Sequence, residues 1–299
     1  MSKTNVLILG AGGGFGTLLA SLLSSDERIL NGIDVVTPGK VAAERLAGFI
    51  LADAALPGSA ALEAVAGADW VISCMSNDAT LDAFPRLASR MRSGALFLDI
   101  LSVKTPICSL MSAARFDIEC LSIHPMFAPS LGFSRQNVVV VRVRGGRHSD
   151  RIESLLAEWG AHIHHLTAEQ HDRGTAAVQV ATHAAIISFG MALKAMDYRL
   201  PEVLPISSPV HRTLLALLAR IVNGAPEIYW QVQRENPEAV AARSAVVAGA
   251  GEFQRLVDSG QAESFSAVQG ALREMLGDSN DDLSGLAARV FDLPLVLSK

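Results

Sequence analysis

The chain has 299 residues, half of them hydrophobic and 18% charged, with a net charge of −5. That length accommodates two domains with separate cores, and that composition excludes a disordered chain. Scattered Lys and Arg, and only 5% aromatic residues, exclude nucleic acid as the main partner on both electrostatic and stacking grounds.

The N-terminus reads "MSKTNVLILGAGGGFG". It has no basic region ahead of a long apolar run, and its glycines come too early for a signal peptide, so a cytoplasmic protein is expected. Cys74, Cys108 and Cys120 lack a CxxC spacing and read as the reduced thiols of that compartment. "NVLILG" is a short apolar strand, and "FGTLLASLLSS" after it is a helix. Between them stand Gly10, Gly12, Gly13, Gly14 and Gly16. Glycines at the end of a first strand let the backbone approach a pyrophosphate whose charge rests on the helix N-terminus. The best fit to the spacing is Gly10-x-x-Gly13-x-x-Gly16, with Gly14 and Phe15 inside the turn, and it predicts a dinucleotide, NAD or NADP.

"GIDVVT" reads as the second strand. An acid at its end would hold the ribose of NAD. Thr37 occupies the expected place, Asp34 falls within the strand, and Lys40 follows shortly after. This pattern favours NADP, although Thr37 bonding the ribose and Lys40 as a solvated helix start would suit NAD. "DWVISCM", "ALFLDIL", "DIECLSIH", "NVVVVRV" and "AHIHHLT" are further strands, separated by segments with helical spacing. Strands alternating with helices predict a mostly parallel sheet covered on both faces. Ligands of such sheets sit outside the carboxyl ends of the strands. Ser102 and Lys104 follow one strand end and His124 closes the next, so all three should face the crevice beside the glycine turn. The plainer alternative is a capping serine and a surface lysine. Pro125 pushes His124 into an extended conformation and stops the strand. His162, His164 and His165 do not read as a metal site, because no acid lies close in sequence and alternate faces separate them.

After Thr167 strand signals vanish. "AEQHDRGTAAVQVATHAAIISFGMALKAMDY" reads as one long helix, and four more helical segments follow, punctuated by Pro and Gly. The apolar part of the long helix approaches membrane length but carries Gln179 and His183 near its middle, so a buried helix of a soluble domain is expected, and no membrane partner. The predicted architecture is α/β: a Rossmann-type domain over 1–167, then an all-helical domain over 168–299 that dimerises through its excess apolar surface.

The glycine turn, "SVK" at 102–104, "HPMF" at 124–127, "HD" at 171–172, His183, and "SSPVHR" at 207–212 resemble the prephenate dehydrogenase family in order and spacing. The resemblance is greatest to the dehydrogenase part of the bifunctional bacterial enzyme, without its chorismate mutase segment. It implies an NAD(P)-dependent oxidative decarboxylation of a small cyclohexadienyl acid, prephenate going to 4-hydroxyphenylpyruvate, with arogenate or 4-amino-4-deoxyprephenate as the alternative substrate. It also implies that neutral His124 accepts a hydrogen bond from the substrate 4-hydroxyl, with Ser102 as its companion and Lys104 in electrostatic support. By the same resemblance, Arg212 holds a substrate carboxylate, His183 faces the substrate side chain, and Tyr229 lies near the substrate. His171 and Asp172 are expected to organise the domain junction. Ala128 replaces a usual glycine, Met75 a proline and Gln170 a glutamate, departures consistent with an altered substrate such as 4-amino-4-deoxyprephenate. A catalytically silent dinucleotide-binding sensor is the competing reading, against which Ser102, His124 and Arg212 together speak.

Overall fold

The computed structural model describes residues 3–293 and divides into two units, one up to Gly174 and one from Thr175 onward. In the first unit, strands and helices alternate: β1 (Thr4–Leu9), α1 (Gly14–Leu23), β2 (Arg28–Asp34), α2 (Lys40–Ala43), β3 (Gly48–Leu51), α3 (Ser59–Gly67), β4 (Trp70–Ser73), α4 (Asn77–Ala88), β5 (Leu96–Asp99), α5 (Thr105–Ala113) and β6 (Glu119–Pro125). Then come β7 (Asn137–Arg144), α6 (Arg147–Glu158), β8 (His162–His165) and α7 (Ala168–Thr175).

The eight strands form one sheet in the order β3-β2-β1-β4-β5-β6-β7-β8. Every neighbouring pair is parallel except β6 and β7. The first six strands thus have the doubly wound order of dinucleotide-binding folds, which reverses direction between β1 and β4. Period-two alternation explains why the strands read as continuous apolar runs. Leu7 and Leu9 enter a core with Val65, Phe84 and Phe97, while Val6 and Ile8 enter the opposite core with Leu19, Leu121 and Leu155. "GFIL", which carries no strong strand signal, forms the edge strand β3.

The second unit is helical. A π-helical segment, Ala176–Ala181, precedes α8 (Thr182–Ala195). Then follow α9 (Leu200–Val203), α10 (Pro209–Val222), α11 (Pro226–Glu235), α12 (Ala239–Asp258), α13 (Ala262–Leu276) and α14 (Asn280–Phe291). The helix expected from residue 168 onward is therefore interrupted by a π turn, which breaks the regular backbone ladder. There the Val180 carbonyl accepts a hydrogen bond from Gln233 Nε2 at 2.8 Å. Val180, Val232 and Ala239 form a small buried cluster, while Met191, Met196, Val222, Trp230, Val247 and Phe253 are exposed.

Candidate active site

The glycine turn follows β1 at the point where strand order reverses. Gly10 has φ +78°, a conformation favouring glycine, and a Cβ there would lie 2.8 Å from the Cys74 carbonyl oxygen. A Cβ on Gly16 would lie 2.1 Å from the Gly10 carbonyl oxygen, so α1 can approach β1 only with glycine at that position. Gly13, by contrast, is an extended N-cap whose Cβ would meet nothing closer than 3.4 Å. Gly14 is crowded only by the Pro129 ring, and Phe15 packs edge-on against Phe127, with centroids 5.9 Å apart. The steric demand for glycine in this turn thus falls on Gly10, Gly12 and Gly16, with Gly13 as the N-cap of α1.

At Gly12 the reason is Asp34. Its Oδ2 accepts a hydrogen bond from Gly12 N at 2.8 Å, and a Cβ on Gly12 would lie 3.1 Å from that same oxygen. β2 ends at Asp34, so the acid stands at the strand end, and the expectation that Thr37 fills that place is wrong. The strand pairs with β1 only as far as Ile33, opposite Leu9, and the Asp34 carboxylate turns the chain by also accepting from Val36 N at 3.2 Å. Thr37 is exposed on the loop beyond. The side chain of Lys40 is 88% exposed and lies 3.9 Å from Glu44 one helical turn on, as a solvated helix start would.

The ends of β5 and β6 carry the second part of the site. Lys104 is fully buried, which rules out the surface-lysine alternative. Its Nζ donates to Asp99 Oδ1 at 3.1 Å and to the Ile123 carbonyl at 2.6 Å. Burial lowers its pKa while Asp99 opposes the shift. With its ammonium engaged beneath the β6 end, Lys104 acts on its surroundings through charge. Ser102 is half-buried on the loop between β5 and α5.

His124 is 4% exposed, one residue from the end of β6. Its Nδ1 lies 2.8 Å from His171 Nε2. His171 Nδ1 in turn lies 2.7 Å from Asp172 Oδ1. Asp172 also accepts from Lys104 N and Thr105 N, both at 2.8 Å, and so caps the start of α5. Within the first unit "HD" makes a buried chain running from a helix N-terminus to the β6 histidine. Burial, Lys104 and His171 hold the His124 pKa well below 6.5. Burial raises the Asp172 pKa, but the hydrogen bonds from His171, Thr105 and Lys104 outweigh it and the net shift is downward.

Two of the departures have local explanations. Gln170 Oε1 accepts from Thr167 N at 2.9 Å, and Thr167 Oγ1 accepts from Gln170 N at 3.2 Å. This is a capping box, which glutamine and glutamate close equally well. Ala128 is extended, at φ −79° and ψ 145°, where glycine is not required. Met75 packs half-buried against one core. The backbone at Gln170 and Ala128 thus accommodates both replacements without strain.

In the second unit His183 and Tyr229 meet edge-on, with centroids 5.0 Å apart. Burial and the Arg220 charge lower the His183 pKa. Ser208 caps α10 by accepting from His211 N, and Pro209 opens the helix, which sets Arg212 in its first turn. Arg212 donates from Nη1 to the Ser207 carbonyl at 3.4 Å; its buried Nε has no hydrogen bond among the described residues. Of the β8 histidines, His164 bonds Asn137 and His165 lies 3.4 Å from Glu153. An acid is thus closer than the sequence implied, although Glu153 Oε1 is engaged by Arg142. Among the described residues no group of three or more His, Cys, Asp or Glu is arranged to hold a metal ion.

The chain is 35% identical to a 4-amino-4-deoxyprephenate dehydrogenase of Streptomyces pristinaespiralis, over 95% of both chains. It belongs to the prephenate dehydrogenase family. Residues 167–270 match that family's prephenate dehydrogenase dimerization domain. A T-protein of Enterobacter agglomerans is 28% identical over 61% of this chain, which spans 49% of that protein's length. Among solved structures, a prephenate dehydrogenase from A. aeolicus in complex with hydroxyphenyl propionate and NAD+ superposes with a TM-score of 0.67. It is 16% identical, and the match covers 92% of this chain and 98% of that one. A Synechocystis arogenate dehydrogenase gives 0.63 at 16% identity, covering 95% and 100%. Both share the Rossmann-type fold, and the family assignment makes this chain an oxidoreductase.

Membership explains the order of motifs along the chain. Sequence spacing missed Gly12, Asp34 and Asp99, and it underused His171 and Asp172. One signal was available for the first pair: an acid about twenty residues after the glycine turn.

Proposed function

We propose that this chain oxidises and decarboxylates a prephenate-type cyclohexadienyl acid with NAD as cofactor. The observation that carries the reading is buried His124, fixed at the end of β6 in the sheet whose β1 ends in the glycine turn. Gly10, Gly12 and Gly16 form a cradle that any Cβ would crowd, which fits a pyrophosphate above the N-terminus of α1. Asp34 fits two ribose hydroxyls and repels a 2′-phosphate, so NAD is preferred to NADP. The nicotinamide, when bound, supplies the hydride acceptor.

The chain's own residues do the rest. Neutral His124 accepts the hydrogen bond of the C4 substituent and polarises it as hydride leaves C4, while the ring carboxylate departs as carbon dioxide and the ring becomes aromatic. Ser102 bonds the same substituent. Arg212 holds a carboxylate through its fork, and His183 and Tyr229 face the side chain. Of the hydroxyl and amino compounds, our reading is 4-amino-4-deoxyprephenate, supported by the S. pristinaespiralis relative that matches along 95% of the chain. Prephenate is the second reading, supported by the family match over residues 167–270. The exposed apolar side chains of the second unit are covered by a second copy of the chain, and sedimentation at micromolar concentration should show a dimer.

Purified protein mixed with NAD or NADP and each of prephenate, arogenate and 4-amino-4-deoxyprephenate tests the proposal. The highest kcat/KM should fall on the amino compound with NAD, read as reduced-nicotinamide absorbance. A higher value on prephenate makes the second reading correct, and no turnover with any of the three overturns the reaction.

A further inference from the structure

We propose that His171 and Asp172 are positioning residues that fix His124 as the tautomer protonated on Nδ1, with the lone pair on Nε2. The inference rests on reading His124 as the acceptor of the reacting group, and it says what makes the imidazole an acceptor on the required nitrogen.

Four hydrogen bonds, read in order, leave one arrangement of protons. Asp172 accepts from the backbone N–H groups of Lys104 and Thr105 at the start of α5. Two such donors at a helix N-terminus hold the carboxylate ionised, and an ionised carboxylate is an acceptor only. The nitrogen 2.7 Å from it, His171 Nδ1, must therefore carry a proton. In a neutral imidazole the other nitrogen, Nε2, then holds the lone pair. Two nitrogens 2.8 Å apart need one proton between them, so His124 Nδ1–H is the donor to His171 Nε2. With its proton on Nδ1, neutral His124 has its lone pair on Nε2.

The opposite tautomer requires a second proton on His171, which would then donate to His124 Nδ1 and leave His124 a donor at Nε2. Burial opposes that proton, and so does the ammonium of Lys104; Asp172 and Asp99 favour it. His171 is 1% exposed, and burial is the largest of these effects. Lys104 thus belongs to the same device: its backbone N–H anchors Asp172, and its side-chain charge resists protonation of both rings. Each ring nitrogen of His171 is spoken for, one by a carboxylate and one by an imidazole, which is how a hydrogen-bond partner selects a tautomer.

The test is imidazole 15N NMR on the full chain labelled at histidine, with His124→Asn used to assign its signals. A protonated nitrogen and a lone-pair nitrogen have well-separated shifts. The expected result near neutral pH is His124 protonated on Nδ1 and bare of proton on Nε2. Turnover of two variants supplies a second reading. His171→Gln sets a carbonyl oxygen where Nε2 stood and still accepts from His124 Nδ1–H, so kcat should fall by less than about tenfold, the scale of one altered neutral hydrogen bond. His171→Leu fills the space without an acceptor and should lose roughly 10²–10⁴ in kcat, the worth of a positioned base, with little change in KM for the cofactor. A purely structural role would make buried Gln no better than Leu. Equal loss in the two variants, or a His124 protonated on Nε2 in the unsubstituted protein, overturns the inference. Failure of all three substrates would instead overturn the reaction, while the 15N shifts would still decide the tautomer.

Discussion

His171 Nε2 lies 2.8 Å from His124 Nδ1, and the two rings are tilted by 59° with centroids 5.1 Å apart. One imidazole therefore supports the other through a hydrogen bond in the buried end of the sheet. The consequence is a histidine that stays neutral to lower pH than a solvated one. Burial, Lys104 and His171 all disfavour its charged form.

In the proposed reaction neutral His124 is the working form, so protonation should remove activity and kcat should fall as pH drops through its pKa. Because that pKa is held well below 6.5, turnover should stay level through pH 6.5 and decline only in more acid solution. His124→Asn should retain cofactor affinity, lower kcat by roughly 10²–10⁴ and abolish the acid limb. A variant keeping both normal turnover and that limb would make His124 a structural residue.

Removing Lys104 tests the charge beneath the site. Lys104→Met leaves Asp99 buried, and Asp99 Oδ2 already has no hydrogen bond among the described residues. Breaking one partner of such a pair costs about 3–5 kcal/mol, which urea unfolding would register. Replacing Asp99 and Lys104 together by Asn and Met should cost less than Lys104→Met alone. In enzyme that remains folded, losing a positive neighbour raises the His124 pKa, so the acid limb should move up toward 6.5. A limb that stays put would show that the lysine charge does not reach the imidazole.

How much of this was legible in the sequence differs from one residue to the next. The alternation of strands and helices and the glycine turn follow from periodicity, because the central strands β1, β4, β5 and β6 are buried on both faces and read as apolar runs. The position of His124 follows from Pro125, a local rule. Asp34 was misplaced because "DVVT" continues the apolar pattern past the true strand end, which is set by pairing with β1 and by the bond to Gly12. The His124–His171 contact joins residues 47 apart and Lys104–Asp172 joins residues 68 apart. No spacing rule connects such positions, since only the packing of α7 against the strand ends makes them neighbours.

Cofactor choice should follow Asp34. Asp34→Ser removes the acceptor for a ribose hydroxyl and the charge that repels a 2′-phosphate. KM for NAD should rise roughly 10–100-fold, the worth of hydrogen bonds to a charged group, while KM for NADP falls. Lys40→Ala should leave both unchanged, because its ammonium lies in solvent beside Glu44. Initial rates with the two cofactors decide it; a larger effect from Lys40 than from Asp34 would reverse the assignment.

Arg212 should serve binding of the acid more than its chemistry. Within the chain it makes a long bond to the Ser207 carbonyl, and its buried Nε has no partner among the described residues, so the guanidinium keeps donors for a ligand. Capping of α10 by Ser208 and the opening Pro209 hold it on the first helical turn, which limits the freedom lost on binding. Truncation leaves a substrate carboxylate without its charged partner, at about 2–5 kcal/mol for a buried pair. Arg212→Ala should therefore raise KM for the cyclohexadienyl acid by more than about tenfold, with kcat and KM for NAD nearly constant. Arg212→Lys should recover only part of the loss, since an ammonium lacks the planar fork that grips both carboxylate oxygens. Steady-state kinetics with the acid and the cofactor varied separately separate the outcomes. An equal rise in both KM values would place Arg212 in the framework of the helical unit and not against the substrate.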